Sequence, residues 1–149
     1  MSAITQSTYP CFMAPAFEGM IAEGTPCTIL TKIAEGGDIP FGTAVVRGTG
    51  DEQAMTPTAG GQDFVGLTIR DSAIEGAGSD TAQFADMKPM AVLIEGAIWA
   101  LCLDGALAGD AVSFDSASGG LGVAVGDLVQ NATWETTTAA GELGLVRLR

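Results

Sequence analysis

The sequence predicts an all-β protein: a single-domain β-barrel or β-sandwich over residues 25–149, preceded by an extended N-terminal arm over residues 1–24. Three observations predict it. Short β-branched and apolar runs recur at roughly 8–12-residue spacing, the rhythm of a sandwich or closed barrel. The 21 glycines show no collagen-like period and fall between those runs, often beside Asp or Glu, as in tight turns. Helical patterning is nearly absent. With 149 residues, 47% of them hydrophobic and 16% charged, the chain is long enough for one core and too apolar for global disorder.

The arm comes first. Met1 to Gly24 carries Tyr9, Phe12, Phe17 and Met20 at intervals that fit neither a helix nor a strand. Pro10 and Pro15 exclude a long central strand. So apolar a stretch needs a surface to lie on. It either runs over the domain's own sheet or packs on a neighbouring chain, and Tyr9, Phe12, Phe17 and Met20 are the candidate contact residues.

Strands follow from residue 25. Thr28 to Lys32 is β-branched and ends at Glu35-Gly36-Gly37-Asp38; Thr43 to Arg47 ends at Gly48-Thr49-Gly50-Asp51. Phe64 to Arg70 alternates, with Val65, Leu67 and Ile69 on one face and Phe64, Gly66, Thr68 and Arg70 on the other. Ala91 to Ile94 and Ala97 to Leu103 flank Glu95-Gly96 and read as a hairpin, with Trp99 near its middle. Ala111 to Phe114, Leu121 to Val125, Ala132 to Thr136 and Leu143 to Leu148 complete the set. Ser79 to Met87 reads either as about two helical turns ended by Pro89 or as a loop. The expected core is Val45, Val65, Leu67, Ile69, Val92, Ile94, Ile98, Val112, Val146 and Leu148, with Trp99 on or beside it.

Charge excludes some functions. Six Lys and Arg stand against 18 Asp and Glu, a net charge of -12, and the cations are scattered singly. Nucleic-acid binding needs cations that displace condensed counterions, and anionic headgroups attract the same residues. Neither nucleic acid nor membrane is expected as a partner. Met1 to Thr8 carries no positive, apolar signal pattern, and Met90 to Leu103 is shorter than the ~20 residues that span a bilayer. Synthesis in a bacterial cytoplasm fits.

Catalysis is not expected either. There is no histidine, which removes the commonest general base and metal ligand. Neither a G-x-S-x-G elbow nor S-x-x-K occurs. Most acidic residues sit beside glycine, where a solvated turn explains them better than a glycosidase pair. Asp104, Asp110 and Asp115 are close in sequence but form no calcium loop with a closing Glu; surface turns are the simpler account, a loose cation site the alternative. No metal or cofactor is expected. Cys11, Cys27 and Cys102 form no C-x-x-C pair; Cys11 with Cys27 is one pairing, and the odd remainder favours reduced thiols.

Five stretches, in order, carry a family likeness: Gly37-Asp38-Ile39-Pro40-Phe41-Gly42-Thr43-Ala44-Val45, Phe64 to Arg70, Met90 to Trp99, Ala108-Gly109-Asp110-Ala111-Val112-Ser113-Phe114-Asp115, and Ala140 to Leu148. Together they resemble the structural cement, or capsid decoration, proteins of tailed bacteriophages. The resemblance implies a non-enzymatic protein on the outer surface of the virion's expanded head, bound across junctions of the major capsid protein. It also implies association with itself, as a homodimer or homotrimer. A carbohydrate- or receptor-binding β module is the second reading, for which Tyr9, Trp99 and Trp134 are the aromatic candidates.

Overall fold

The computed structural model describes residues 16–22, 26–71 and 83–149. β-Branched and apolar runs broken by glycine give eleven strands among them. In chain order these are β1 (Thr28–Glu35), β2 (Ile39–Pro40), β3 (Ala44–Arg47), β4 (Gln53–Met55), β5 (Phe64–Thr68) and β6 (Gln83–Phe84). They continue with β7 (Pro89–Cys102), β8 (Ala111–Phe114), β9 (Leu121–Gly122), β10 (Asp127–Trp134) and β11 (Glu142–Leu148). No helix occurs among the described residues. Within the stretch read as a short helix or a loop, Gln83 and Phe84 are strand and Met87 has a φ of 60°; residues 79–82 lie outside the described residues.

The nine-stranded sheet closes on itself twice. β1, β4, β3, β5 and β7 pair in turn and β1 returns to β7, a closed five-strand barrel. β7, β11, β10, β8 and β9 form a second ring, closed by one parallel bridge from Cys102 to Leu121. The 14-residue β7 is the wall common to both. Its first half faces β1 and β5 across Pro89 to Glu95, and its second half faces β11 across Gly96 to Cys102. β2 and β6 form a separate two-stranded pair.

Side chains follow the two rings. Ala34, Val45, Ala54, Met90 and Val92 are buried together, with Val65 packed against them; every strand of the first ring contributes. Ile39, Phe41 and Phe84 from the β2–β6 region join this cluster, and the two phenylalanines meet edge to face at 5.0 Å. The larger cluster holds Ile98, Ala100, Cys102, Val112, Phe114, Leu121, Val129, Ala132, Trp134, Val146 and Leu148 from the second ring. Ala44, Val46, Leu67 and Leu93, on the other face of first-ring strands, pack onto it. The larger cluster thus packs against strands of both rings.

Two expectations need correcting. Glu95-Gly96 is no hairpin turn: β7 runs unbroken through it. Gly96 has a φ of 132°, and a Cβ there would lie 2.9 Å from Cys27 Cβ. Glycine therefore bends the strand rather than ending it. At this bend the even-numbered face changes cores, Met90 and Val92 belonging to the small cluster and Ile98 and Ala100 to the large one. In β5 the clean alternation fails. Val45 pairs with Gly66 and Val46 with Phe64, so Val65 is an extra residue in the ladder. This bulge shifts the phase: Phe64 and Leu67 pack on one cluster and Val65 on the other. Val65 is only half-buried, as is Ile94 in β7, whereas the other eight expected core residues are buried. Trp99 is half-buried.

Candidate docking surface

Residues 16–22 lie along the second half of β7. The Gly19 N–H donates to the Trp99 carbonyl (2.8 Å), the Trp99 N–H to the Met20 carbonyl (2.9 Å), and the Ala22 N–H to the Ala97 carbonyl (3.0 Å). Ile21 bridges Ile98 in antiparallel sense. Over these residues the chain rests on its own sheet. The crossing is tight where Gly19 and Gly42 meet. Both have positive φ (78° and 69°), and a Cβ on Gly42 would lie 2.8 Å from the Gly19 nitrogen.

Of the four candidate contact residues, the structure brings Phe17 and Met20 onto this segment; Tyr9 and Phe12 lie outside the described residues. Met20 is half-buried and Phe17 is 51% exposed. The Arg70 guanidinium stands 5.1 Å from the Phe17 ring centre and 5.5 Å from that of buried Phe41. It links an exposed ring to one anchored in the core, a contact worth about 0.5–1 kcal/mol at an exposed site. The Arg70 N–H donates to the Gly19 carbonyl (2.8 Å), fixing the same corner. Phe17 is presented from a braced position.

A second exposed apolar surface went unread in the sequence. In β1, Thr28 to Thr31 are all exposed, with Ile29 at 44% and Leu30 at 45%. β4 covers the outer edge of β1 only at Ile33, Ala34 and Glu35. The available signal was the uncharged run Thr28-Ile29-Leu30-Thr31, but such a run reads as a strand buried on both faces. Here both faces meet water.

Where β11 ends and β1 begins, the two strands meet at the bend in β7: Leu148 pairs with Gly96 and Thr28 with Glu95. A groove of about 390 Å³ opens there, lined by Cys27, Glu95, Arg147 and Arg149 among others. Arg147 and Arg149 each lie 3.5 Å from the Glu135 carboxylate, the Arg147 contact being made by its Nε. Cys27 is an exposed free thiol and Cys102 a buried one.

The acidic turns hold the backbone. Asp104 accepts the Val123 and Ala124 N–H groups, both at 2.9 Å, and Gly122 leaves room for its carboxylate. The Val123 bond is the main reason that the Asp104 carboxyl titrates below the usual range. Burial, first among several causes, pushes the Cys102 thiol up. Asp110 accepts the Leu107 N–H (2.9 Å), while Asp115 accepts the Ala117 N–H (3.0 Å) and the Ser118 hydroxyl (2.9 Å). Each of the three carboxylates serves its own turn. Among the described residues no group of three His, Cys, Asp or Glu side chains is placed to hold a metal. Trp134 is fully buried and donates from Nε1 to the Gly122 carbonyl (3.2 Å), so it offers no platform to a sugar.

Curated protein sequences give no match. Among solved structures, a chain from the capsid of Myoviridae phage XM1 matches with a TM-score of 0.77, over 99% of this chain and 98% of that one, at 12% identity. At that identity the shared property is the fold. The family model described as structural cement protein (E217 gp24/Pam3 gp6) matches residues 5–149. With a family match over nearly its whole length and an all-β double ring that agrees with the resemblance of its turns and strands, this chain belongs to the structural cement protein family.

Proposed function

We propose that this protein is a non-enzymatic cement of a tailed-phage head, binding the outer surface of the expanded capsid across junctions of the major capsid protein. The observation that carries the reading is the family match over residues 5–149. Its mechanism is mass action. A ligand that binds the expanded lattice and not its precursor stabilises the former by its binding free energy at every occupied site. The net charge of -12 suits a face turned to water rather than to packaged DNA. Synthesis in the host cytoplasm places the protein where heads mature.

In this reading residues 1–24 act as an arm. Tyr9, Phe12, Phe17 and Met20 supply apolar contacts to a neighbour, each worth roughly 1.5–3 kcal/mol when fully buried and offset by the cost of ordering the segment. The base of the arm is held on β7 through Gly19, Met20 and Ala22, and Phe17, braced by Arg70, points to where contact begins.

The test uses expanded heads stripped of this protein. Adding it back should raise the temperature at which they release DNA, and adding a form lacking residues 1–17 should raise it less, at lower occupancy. Unchanged DNA release after addition of the full chain rejects the cement reading. Equal occupancy by the shortened form rejects the arm residues and leaves the cement reading intact.

A further inference from the structure

The exposed start of β1 has the pattern of a strand that pairs with a copy of itself. Direction of hydrogen bonding alternates along a strand. The Ala34 N–H donates towards β7, to the Lys88 carbonyl (2.9 Å), and the Ile33 N–H donates away from β7, to the Glu52 carbonyl (2.8 Å). Counting back by two, Thr31 and Ile29 also turn their N–H and carbonyl groups away from β7. Neither has a strand partner on that side among the described residues. Sheet edges are normally guarded by lysine, proline or bulges. Between Ile29 and Thr31 there is none, and the Lys32 amine is turned to the Asp51 carbonyl (2.9 Å).

We propose that two copies of this chain associate through antiparallel pairing of residues Thr28 to Lys32 of β1, about a two-fold axis at Leu30. The geometry selects this register. Residues with outward hydrogen-bonding groups must face each other, so Ile29 pairs with Thr31 of the second copy, and Thr31 with its Ile29. Each such pair exchanges two backbone bonds. Leu30 then faces Leu30 in a non-hydrogen-bonded pair, whose Cα atoms approach to about 4.5 Å. Moving the register one way runs the ladder into the irregularity between Thr28 and Ile29. Moving it the other way requires Ile33, whose N–H is already engaged. Charge favours the same choice. Two molecules of net charge -12 repel, and Thr28 to Thr31 carries no charge. Lys32 lies opposite Thr28, so no like charges meet. Exposure of Ile29 and Leu30 at 44% and 45% supplies apolar area to bury. This inference does not rest on the capsid reading, since it concerns the free protein.

The test is sedimentation equilibrium of the free full chain. A short strand pair falls below the standard interface size, so self-association with a Kd of about 1–100 µM is expected. Leu30→Lys sets two cations against each other at the axis and should raise that Kd about 100-fold or more, with an unchanged thermal midpoint of the dilute monomer. Independently of that variant's folding, Leu30→Cys in a Cys11→Ser, Cys27→Ser background should form a disulfide-linked dimer on mild oxidation. Ile29→Cys in the same background should do so far less, because Ile29 faces Thr31. A chain that stays monomeric to about 1 mM, a dimer that Leu30→Lys leaves intact, or equal cross-linking at both positions would overturn the proposal.

Discussion

The two rings have the same number of strands and share β7, yet they are closed by different means. The first is closed by backbone: β1 runs along β7 from Ile33 at Pro89 to Thr28 at Glu95. Its cluster takes the small side chains Ala34, Ala54, Val45 and Val92 beside Met90, with Ile39, Phe41 and Phe84 added from the β2–β6 region. The second is closed by a single backbone bridge, Cys102 to Leu121, and is filled by Trp134 and Phe114, two of the largest fully buried side chains. Where the ladder is long, backbone bonds hold the wall. Where it is short, bulk must complete the wall. The cost of the first solution is an edge, because β1 extends beyond the cover of β4 and leaves Ile29 and Leu30 in water.

The second ring depends most on Trp134. Trp134→Ala should cost about 3–5 kcal/mol, a large buried truncation with a cavity left behind, measured by denaturant unfolding. A loss below about 1 kcal/mol would mean that the second ring closes without its plug. The converse change belongs to the first ring. Ala54→Leu should cost about 1–3 kcal/mol by overpacking, and a neutral result would show that its interior has room to spare. Between the rings, Gly96→Ala forces an alanine to a φ of 132° and against Cys27. It should cost about 1–3 kcal/mol, and amide exchange should report loosening on both sides of the bend. Loosening in one ring alone would argue that β7 does not couple them.

The smallest effect is expected in the loop after β9. Asp104→Asn weakens two charge-assisted bonds to Val123 and Ala124 and should cost about 1 kcal/mol at neutral pH, since the carboxylate is exposed. The sign of its pH dependence follows from a carboxyl held below its ordinary value of 3.8 in the folded state. Its contribution is present above that value and is lost as pH falls through the lower, folded one. The gap between wild type and Asp104→Asn should therefore close in acid. A gap that stays constant from pH 7 to about pH 2 would contradict the assignment.

What the sequence made legible was the local pattern. β-Branched runs and glycine punctuation located eight of the eleven strands and missed the short β2, β4 and β6, and most expected core residues, Leu67, Ile98 and Val146 among them, are fully buried. What it hid was every place where two cores share one strand. Alternation assumes an unbroken ladder with one inner face. The Val65 bulge and the Gly96 bend each switch the inner face within a strand; the bulge leaves no mark in the sequence, and the glycine at 96 reads as a turn rather than as a bend. The exposed start of β1 was hidden for the opposite reason, since an uncharged strand looks the same whether a neighbour covers it or not. For the candidate site, irregular apolar spacing offered Phe17 and Met20 as contact candidates beside Tyr9 and Phe12, but the neighbours of the first two, Arg70 and Trp99, are distant in sequence, and only the fold brings them together.

The cement role itself is tested most directly by co-sedimentation of the purified protein with phage heads in two states. Saturable binding to expanded heads, with none to unexpanded heads, is the predicted result. Equal binding to both, or none to expanded heads at saturating protein, would contradict it.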